Sequence, residues 1–188
     1  MPRKADAELE SRVLSAAYRL WSKGGENALT MRRVARAAGT TTPTMYQRFR
    51  NKSDLVMLLH KQALEQLVSV LKPACSPAAT CGRFLDFAMK HPHEYRLLTA
   101  DWAVRLSSRE PRPTFEIIKR RLAVHLGGVP EQHARLALAL GALIHGTAMM
   151  LLAEGVHKKI SRQLRSTCNE ACETLIQSGA AKRAQEKT

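Results

Sequence analysis

Aromatic side chains make up only 5% of this 188-residue sequence. Strands draw much of their stability from aromatic and β-branched faces, so the scarcity argues against a sheet, and no strand-type alternation runs through the chain. Leu, Ala, Val and Met carry the apolar pattern instead, which favours helices. At 45% hydrophobic the chain can still bury a sizeable interior. Acidic residues are also few: 16 Asp and Glu face 30 Lys and Arg, a formal charge of +14. The excess is spread over both halves, which suits a molecule working beside a polyanion without locating the site. Cys75, Cys81, Cys168 and Cys172 lack the C-x2-C spacing of a zinc framework. His91, His93 and Glu94 flank a proline with no third ligand on a common helical face, so no metal site is expected. The N-terminal MPRKADAELE is charged rather than apolar, which gives the expectation of a reducing cytoplasm and free thiols. There is no Ser/His/Asp order, no phosphate loop and no pair of carboxylates in an apolar setting, so neither an enzyme nor a cofactor is expected.

The stretch from Thr30 to Leu55, TMRRVARAAGTTTPTMYQRFRNKSDL, is the most informative. Thr30 can cap a helix on which Met31, Val34, Ala35 and Ala38 share one apolar face. Gly39 is placed to stop it. Thr40, Thr41 and Thr42 make a turn, with Thr42 read as the next N-cap and Pro43 as the first helical residue. Met45 and Phe49 form the inner face of this second short helix, leaving Thr42, Thr44, Gln47 and Arg48 for a partner. Asn51 with Asp54 resembles a capping box opening a third helix. Two short helices around a glycine-containing turn, the second with a polar outer face, form a helix-turn-helix signature. Six Lys or Arg stand against one acid in this stretch, as contact with phosphate requires.

Thr30, Val34, Ala35, Ala38, Gly39, Thr42, Pro43, Thr44, Tyr46, Phe49, Asn51, Lys52 and Leu55 together resemble the DNA-binding domain of the tetracycline-repressor (TetR) family of bacterial regulators. The match spans about the first 70 residues. The resemblance implies an all-α homodimer that binds a palindromic operator in double-stranded DNA and responds to a ligand, usually a repressor released by a small apolar or amphipathic effector. The DNA-binding set is then Thr30, Thr41, Thr42, Pro43, Thr44, Tyr46, Gln47, Arg48 and Lys52, with Thr30, Tyr46 and Lys52 on phosphate. Two rivals stand beside this reading: a ligand-independent regulator or activator with the same head, and a basic helical adaptor for acidic proteins.

The expected division is a helix-turn-helix domain over 1–52, a connecting helix over 53–72, and a helical effector-binding and dimerisation domain over 73–188. The first helix spans about 6–23, with Leu9, Val13, Ala16, Ala17 and Leu20 at helical spacing and Gly24–Gly25 as its stop. Beyond Pro73, helices are expected over 80–90, 95–106, 115–126 and 130–153, with a last one carrying Ile160, Leu164, Cys168, Ala171, Cys172 and Leu175. The 130–153 helix is apolar around most of its circumference and must be covered on nearly all sides. It reads as a buried helix rather than a membrane span, because Gly141, His145 and Gly146 interrupt it. Packing the last two helices against the same pair of a second copy gives a four-helix bundle. Leu136, Leu140, Leu143, Ile160, Leu164, Cys168 and Leu175 are the candidate dimer contacts.

For an effector pocket, the candidates are Phe87, Trp102, Phe115, His145 and Met149 as walls, with Arg105 and His145 as polar handles. The triplet Ile144–His145–Gly146 resembles a segment of one TetR C-terminal group usually written WHG, with Ile144 where that group has tryptophan. Cys168 and Cys172 stand one turn apart with Arg165 nearby, which would favour a thiolate; the alternative is a pair of inert stripe residues.

Overall fold

The computed structural model describes residues 4–100 and 112–185. Every regular element among them is helical, so the expected all-α class holds: α1 (Lys4–Ala28), α2 (Met31–Ala37), α3 (Thr42–Tyr46), α4 (Lys52–Leu71), α5 (Pro77–Lys90), α6 (Pro92–Thr99), α7 (Pro113–Leu126), a short 3₁₀ turn (Pro130–His133), α8 (Ala134–Leu151) and α9 (Lys158–Gln185). The chain divides into two compact units. The first holds α1 to α3, α4 as far as Glu65, and α6; the second holds α4 from Gln66, α5 and α7 to α9.

In the first unit, the helical spacing of α1 aligns Val13, Ala16, Ala17 and Trp21, which pack with Val34, Ala35, Met45, Phe49, Leu55 and Leu59. Helical geometry in α1 breaks at Gly24 and Gly25, as the paired glycines suggest. Gly25 takes φ +56, and a Cβ there would stand 2.8 Å from the Nδ1 atom of His93. Both facts demand glycine, and the second has a structural consequence, because it lets α6 approach α1 closely. Trp21 Nε1–H donates to the His93 carbonyl at 3.0 Å, and the Ser22 hydroxyl donates to the buried carboxylate of Glu94. Residues 92–99 therefore pack with α1, although they follow the boundary expected at 73. His93 and Glu94, weighed above as metal ligands, are engaged in this joint.

Three helices, α5, α8 and α9, pack on one another in the second unit. Leu85, Phe87, Ala88, Leu140, Ile144, Ala148, Leu151, Cys168, Cys172 and Ile176 are buried there. In α8 the inner stripe (Ala137, Leu140, Ile144, Thr147, Ala148, Leu151) is buried, while Leu138, Ala139, Ala142, Gly146, Met149 and Met150 are exposed. The chain by itself covers one face of this helix and leaves another open. Pro130–Leu151 is long and apolar enough to cross a membrane by length and composition, as a core helix also can be.

Glycine matters most at the end of α2. Gly39 has φ +66; its N–H donates to the Arg36 carbonyl (3.3 Å) and the Thr40 N–H to the Ala35 carbonyl (3.0 Å). These are the paired bonds of a left-handed helix stop. Nothing lies within 4 Å of a Cβ placed on Gly39, so substitution meets backbone strain alone. Gly39→Ala should destabilise the chain by about 1–2 kcal/mol and Gly39→Asn by less, read from the urea midpoint. An unchanged midpoint for Gly39→Ala would show that residue 39 is not left-handed.

Candidate nucleic-acid interface

The local sequence around α3 builds a small rigid platform. Thr41, not Thr42, is its N-cap: the Thr44 N–H donates to Thr41 Oγ1 (3.3 Å), and the two hydroxyls lie 2.8 Å apart. The cap comes one residue earlier than expected because Pro43 is equally harmless at the second helical position, whose N–H also lacks an intrahelical partner. Helical geometry also stops sooner, at Tyr46. Gln47 is the C-cap, and the Arg48 and Phe49 amides both donate to the Met45 carbonyl at 2.9 Å. Met45 and Phe49 are almost completely buried, which fixes α3 from behind. In front, Thr41, Pro43, Tyr46, Gln47 and Arg48 are exposed, while Thr42 and Thr44 are half-buried. The structure therefore gathers all these sequence-derived candidates along one short segment.

The flanks behave similarly. Thr30 is exposed and caps α2, accepting from the Arg33 N–H at 3.3 Å. Its hydroxyl is thus held at the edge of the platform. Asn51 Oδ1 accepts from the Asp54 N–H at 3.0 Å, as the capping pattern requires, but Asp54 reaches back to the Arg50 N–H (3.0 Å). Lys52 is half-exposed, its ammonium 3.0 Å from the Glu26 carboxylate. A surface ion pair of this kind is worth little in water, so phosphate can compete for Lys52. Arg32, Arg33 and Arg36 on α2 are exposed as well, giving the platform a basic border that the candidate set omitted although their charge was counted.

The remaining candidates fall in the second unit. Phe87 is fully buried in its core, whereas Met149 lies 44% exposed on the outer stripe of α8, so the two do not share a wall. Phe115 is partly buried, with the Arg112 guanidinium 5.0 Å and the Lys119 ammonium 5.6 Å from its ring centre. Cation–π contact already occupies that ring. His145 is half-buried. Trp102 and Arg105 lie outside the described residues. Of the dimer candidates, Leu140 and Cys168 are buried in the chain's own core. Leu136, Leu143, Leu164 and Leu175 are partly buried and Ile160 is exposed. A near-uniform apolar helix gives no phase by which to tell inner from outer positions, and here the outer ones are Leu138, Met149 and Met150.

Thiolate chemistry finds no support. Burial pushes the Cys168 thiol up, and Cys172 is pushed up by its hydrogen bond to Cys81 and by burial. Arg165, which would have favoured a thiolate, is ion-paired with Asp86. Buried protonated thiols are poor nucleophiles.

Comparison with known proteins gives the following. A family model described as bacterial regulatory proteins, tetR family, matches residues 13–58, and one described as tetracyclin repressor-like, C-terminal domain, matches residues 78–175. A comparison with curated proteins gave no match. Among solved structures, a tetR-family transcriptional regulator from Streptomyces coelicolor is similar with a TM-score of 0.70 at 18% identity, over 97% of this chain and 85% of that one. Another TetR transcriptional regulator from the same organism gives 0.65 at 23% identity, over 91% and 97%. A TetR variant from Acinetobacter baumannii AYE in complex with minocycline gives 0.64 at 19% identity, over 93% and 97%. At such identities the likeness to these structures is one of fold.

Burial lowers the pKa of His145 below its usual 6.5, which favours the neutral ring in the fold. Below about pH 6.5 the unfolded chain takes up a proton that the folded chain resists, so stability falls with pH. Urea titrations between pH 7 and pH 5 should show the native chain losing stability relative to His145→Gln. Parallel curves for the two proteins would mean that His145 is protonated as easily folded as unfolded.

Proposed function

The chain belongs to the tetracycline-repressor family of bacterial regulators, and from that premise we propose that it acts as a homodimeric repressor on a palindromic operator. It is a DNA-binding transcription regulator with a helix-turn-helix head and a helical C-terminal domain. One observation carries the finer reading: α3 is fixed from behind by Met45 and Phe49 and presents Thr41, Pro43, Tyr46, Gln47 and Arg48 outward. A helix so placed can lie in the major groove with Pro43, Thr44, Gln47 and Arg48 toward base edges. Thr30, Tyr46 and Lys52 at its borders suit phosphate. On this reading the basic face serves DNA rather than an acidic protein, and the regulator works where DNA is held, in the cytoplasm.

The second copy is supported by the exposed stripe of α8. Leu138, Met149 and Met150, with Ile160 at the start of α9, are 44–56% exposed and apolar. Covering them with the same stripe of another protomer completes a two-fold bundle and sets two reading heads on one duplex. A small apolar or amphipathic effector bound in the second unit would shift the balance between head arrangements only if it bound one better. His145, half-buried and favoured neutral, suits such a molecule as a polar handle; Phe87 and Met149, which do not share a wall, and Phe115, whose ring faces Arg112 and Lys119, are its less favoured contacts. The similar structure that holds minocycline is consistent with that chemistry.

Readout is tested on a duplex selected from random-sequence DNA by the unmodified protein. Gln47→Ala should cost about 1–3 kcal/mol on that duplex and relax one base position. Lys52→Ala should weaken all duplexes alike and reduce the salt slope by about one. Equal weakening of every sequence by Gln47→Ala would contradict the orientation given to α3.

Oligomeric state is tested by light scattering. Met149→Lys with Leu138→Glu should give a folded monomer with unchanged helical circular dichroism, whereas Leu140→Lys should unfold the second unit. A native chain that is monomeric at micromolar concentration would overturn the dimer.

A further inference from the structure

The end of α4 is held by side chains from two other helices. A helix leaves its last carbonyls without intrahelical donors. Here the Lys72 N–H takes the Val68 carbonyl and the Ala74 N–H the Leu71 carbonyl, both at 3.0 Å; Pro73 between them can donate nothing. Two guanidinium groups supply further donors. Arg83 from α5 donates to the Val70 carbonyl at 3.0 Å. Arg121 from α7 donates to the Leu71 carbonyl (3.0 Å), the Lys72 carbonyl (2.7 Å) and the Thr80 hydroxyl oxygen (2.6 Å). Thr80 is itself buried, and its hydroxyl donates to the Ser76 carbonyl at 2.8 Å. One planar fork thus joins the end of α4 to the first turn of α5, a geometry that a point charge could not reproduce.

Two like charges side by side are unfavourable unless something compensates. Burial lowers the Arg121 pKa and the neighbouring Arg83 charge lowers it further. The negative end of the α4 dipole and its carbonyls supply the compensation. The spacing of α5 and α7 is therefore coupled to the position of the α4 terminus. Helix α4 is also continuous from Lys52 to Leu71, beginning in the unit that carries α3 and ending at this cap.

We infer that Arg121, assisted by Arg83, is a positioning residue that fixes the end of α4, and that this fixing keeps the two reading heads ready to engage both halves of a palindrome together. The inference rests on the dimeric reading above. Losing the cap leaves each head intact but widens the range of head positions, so a smaller fraction of dimers is competent for two half-sites at once. Binding to a single half-site does not depend on that fraction.

The experiment compares affinity for the selected full-length duplex with affinity for its isolated half-site. Arg121→Gln should lower palindrome affinity on the order of tenfold while half-site affinity stays within about twofold. Arg121→Lys should behave like Arg121→Gln, because one ammonium cannot span Leu71, Lys72 and Thr80 together. Arg83→Gln, which loses one bond, should act in the same direction with a smaller drop, and serves if Arg121→Gln does not fold. Leu122→Val, a buried change on the same helix that removes no cap donor, should leave the ratio of the two affinities unchanged. An unchanged ratio in Arg121→Gln, full rescue by lysine, or an equal fall in Leu122→Val would each overturn the inference while leaving the dimer standing. A native protein that does not prefer the palindrome over its half-site would remove the dimeric reading and this inference together.

Discussion

Five residues cannot sustain a helix in water, because nucleation costs more than so few hydrogen bonds return. Helix α3 exists because Met45 and Phe49 are anchored in the core of the first unit. Full burial of side chains of this size stabilises by about 1.5–3 kcal/mol each, which offsets much of the cost of ordering one turn. The rest of that unit serves the anchor. Helix α1 forms the floor with Val13, Ala17 and Trp21, α2 braces one side, and Leu55 and Leu59 of α4 close the other. With its inner side held, α3 can keep its outer side polar without losing its place.

Much of this was legible before any coordinates. The Met45–Phe49 spacing, the glycine at 39 and the prolines at 43 and 73 mark element ends through local backbone chemistry, which a sequence records directly. Caps were harder to place. Thr41 and Thr42 are both competent, and the choice between them depends on which residue is extended, a property of the folded turn. Longer-range features were invisible. Ser22 and Glu94 are 72 positions apart, as are Trp21 and His93, and Arg121 meets Leu71 across 50. No periodicity reports such pairs, so the packing of α6 on α1 could not be read from the sequence. Helix α8 was opaque for a different reason: it is apolar on several faces, so its pattern carries no phase and did not show that Leu140 is buried in the chain's own core while Leu138 is exposed.

Charge is distributed with a similar division of labour. The net +14 is too diffuse to define a surface, but individual cations have separate tasks. Arg165 is neutralised by Asp86, Lys119 lies between Glu116 and Glu131, and Arg121 is committed to backbone carbonyls. Around α3, Arg32, Arg33, Arg36 and Arg50 are exposed, and Lys52 is held by exposed contacts with the Glu26 carboxylate and carbonyl. The cations open to a polyanion therefore include those bordering the reading helix, which composition alone could not show.

The central claim is that the outer side of α3 meets DNA. Amide hydrogen exchange of the full chain, with and without a duplex selected from random-sequence DNA, tests it most directly. The account predicts slowed exchange over Thr41–Phe49 and the first turns of α2 and α4 when the duplex is present. Protection confined to 113–185, or none in the first unit while the duplex is bound, would contradict it.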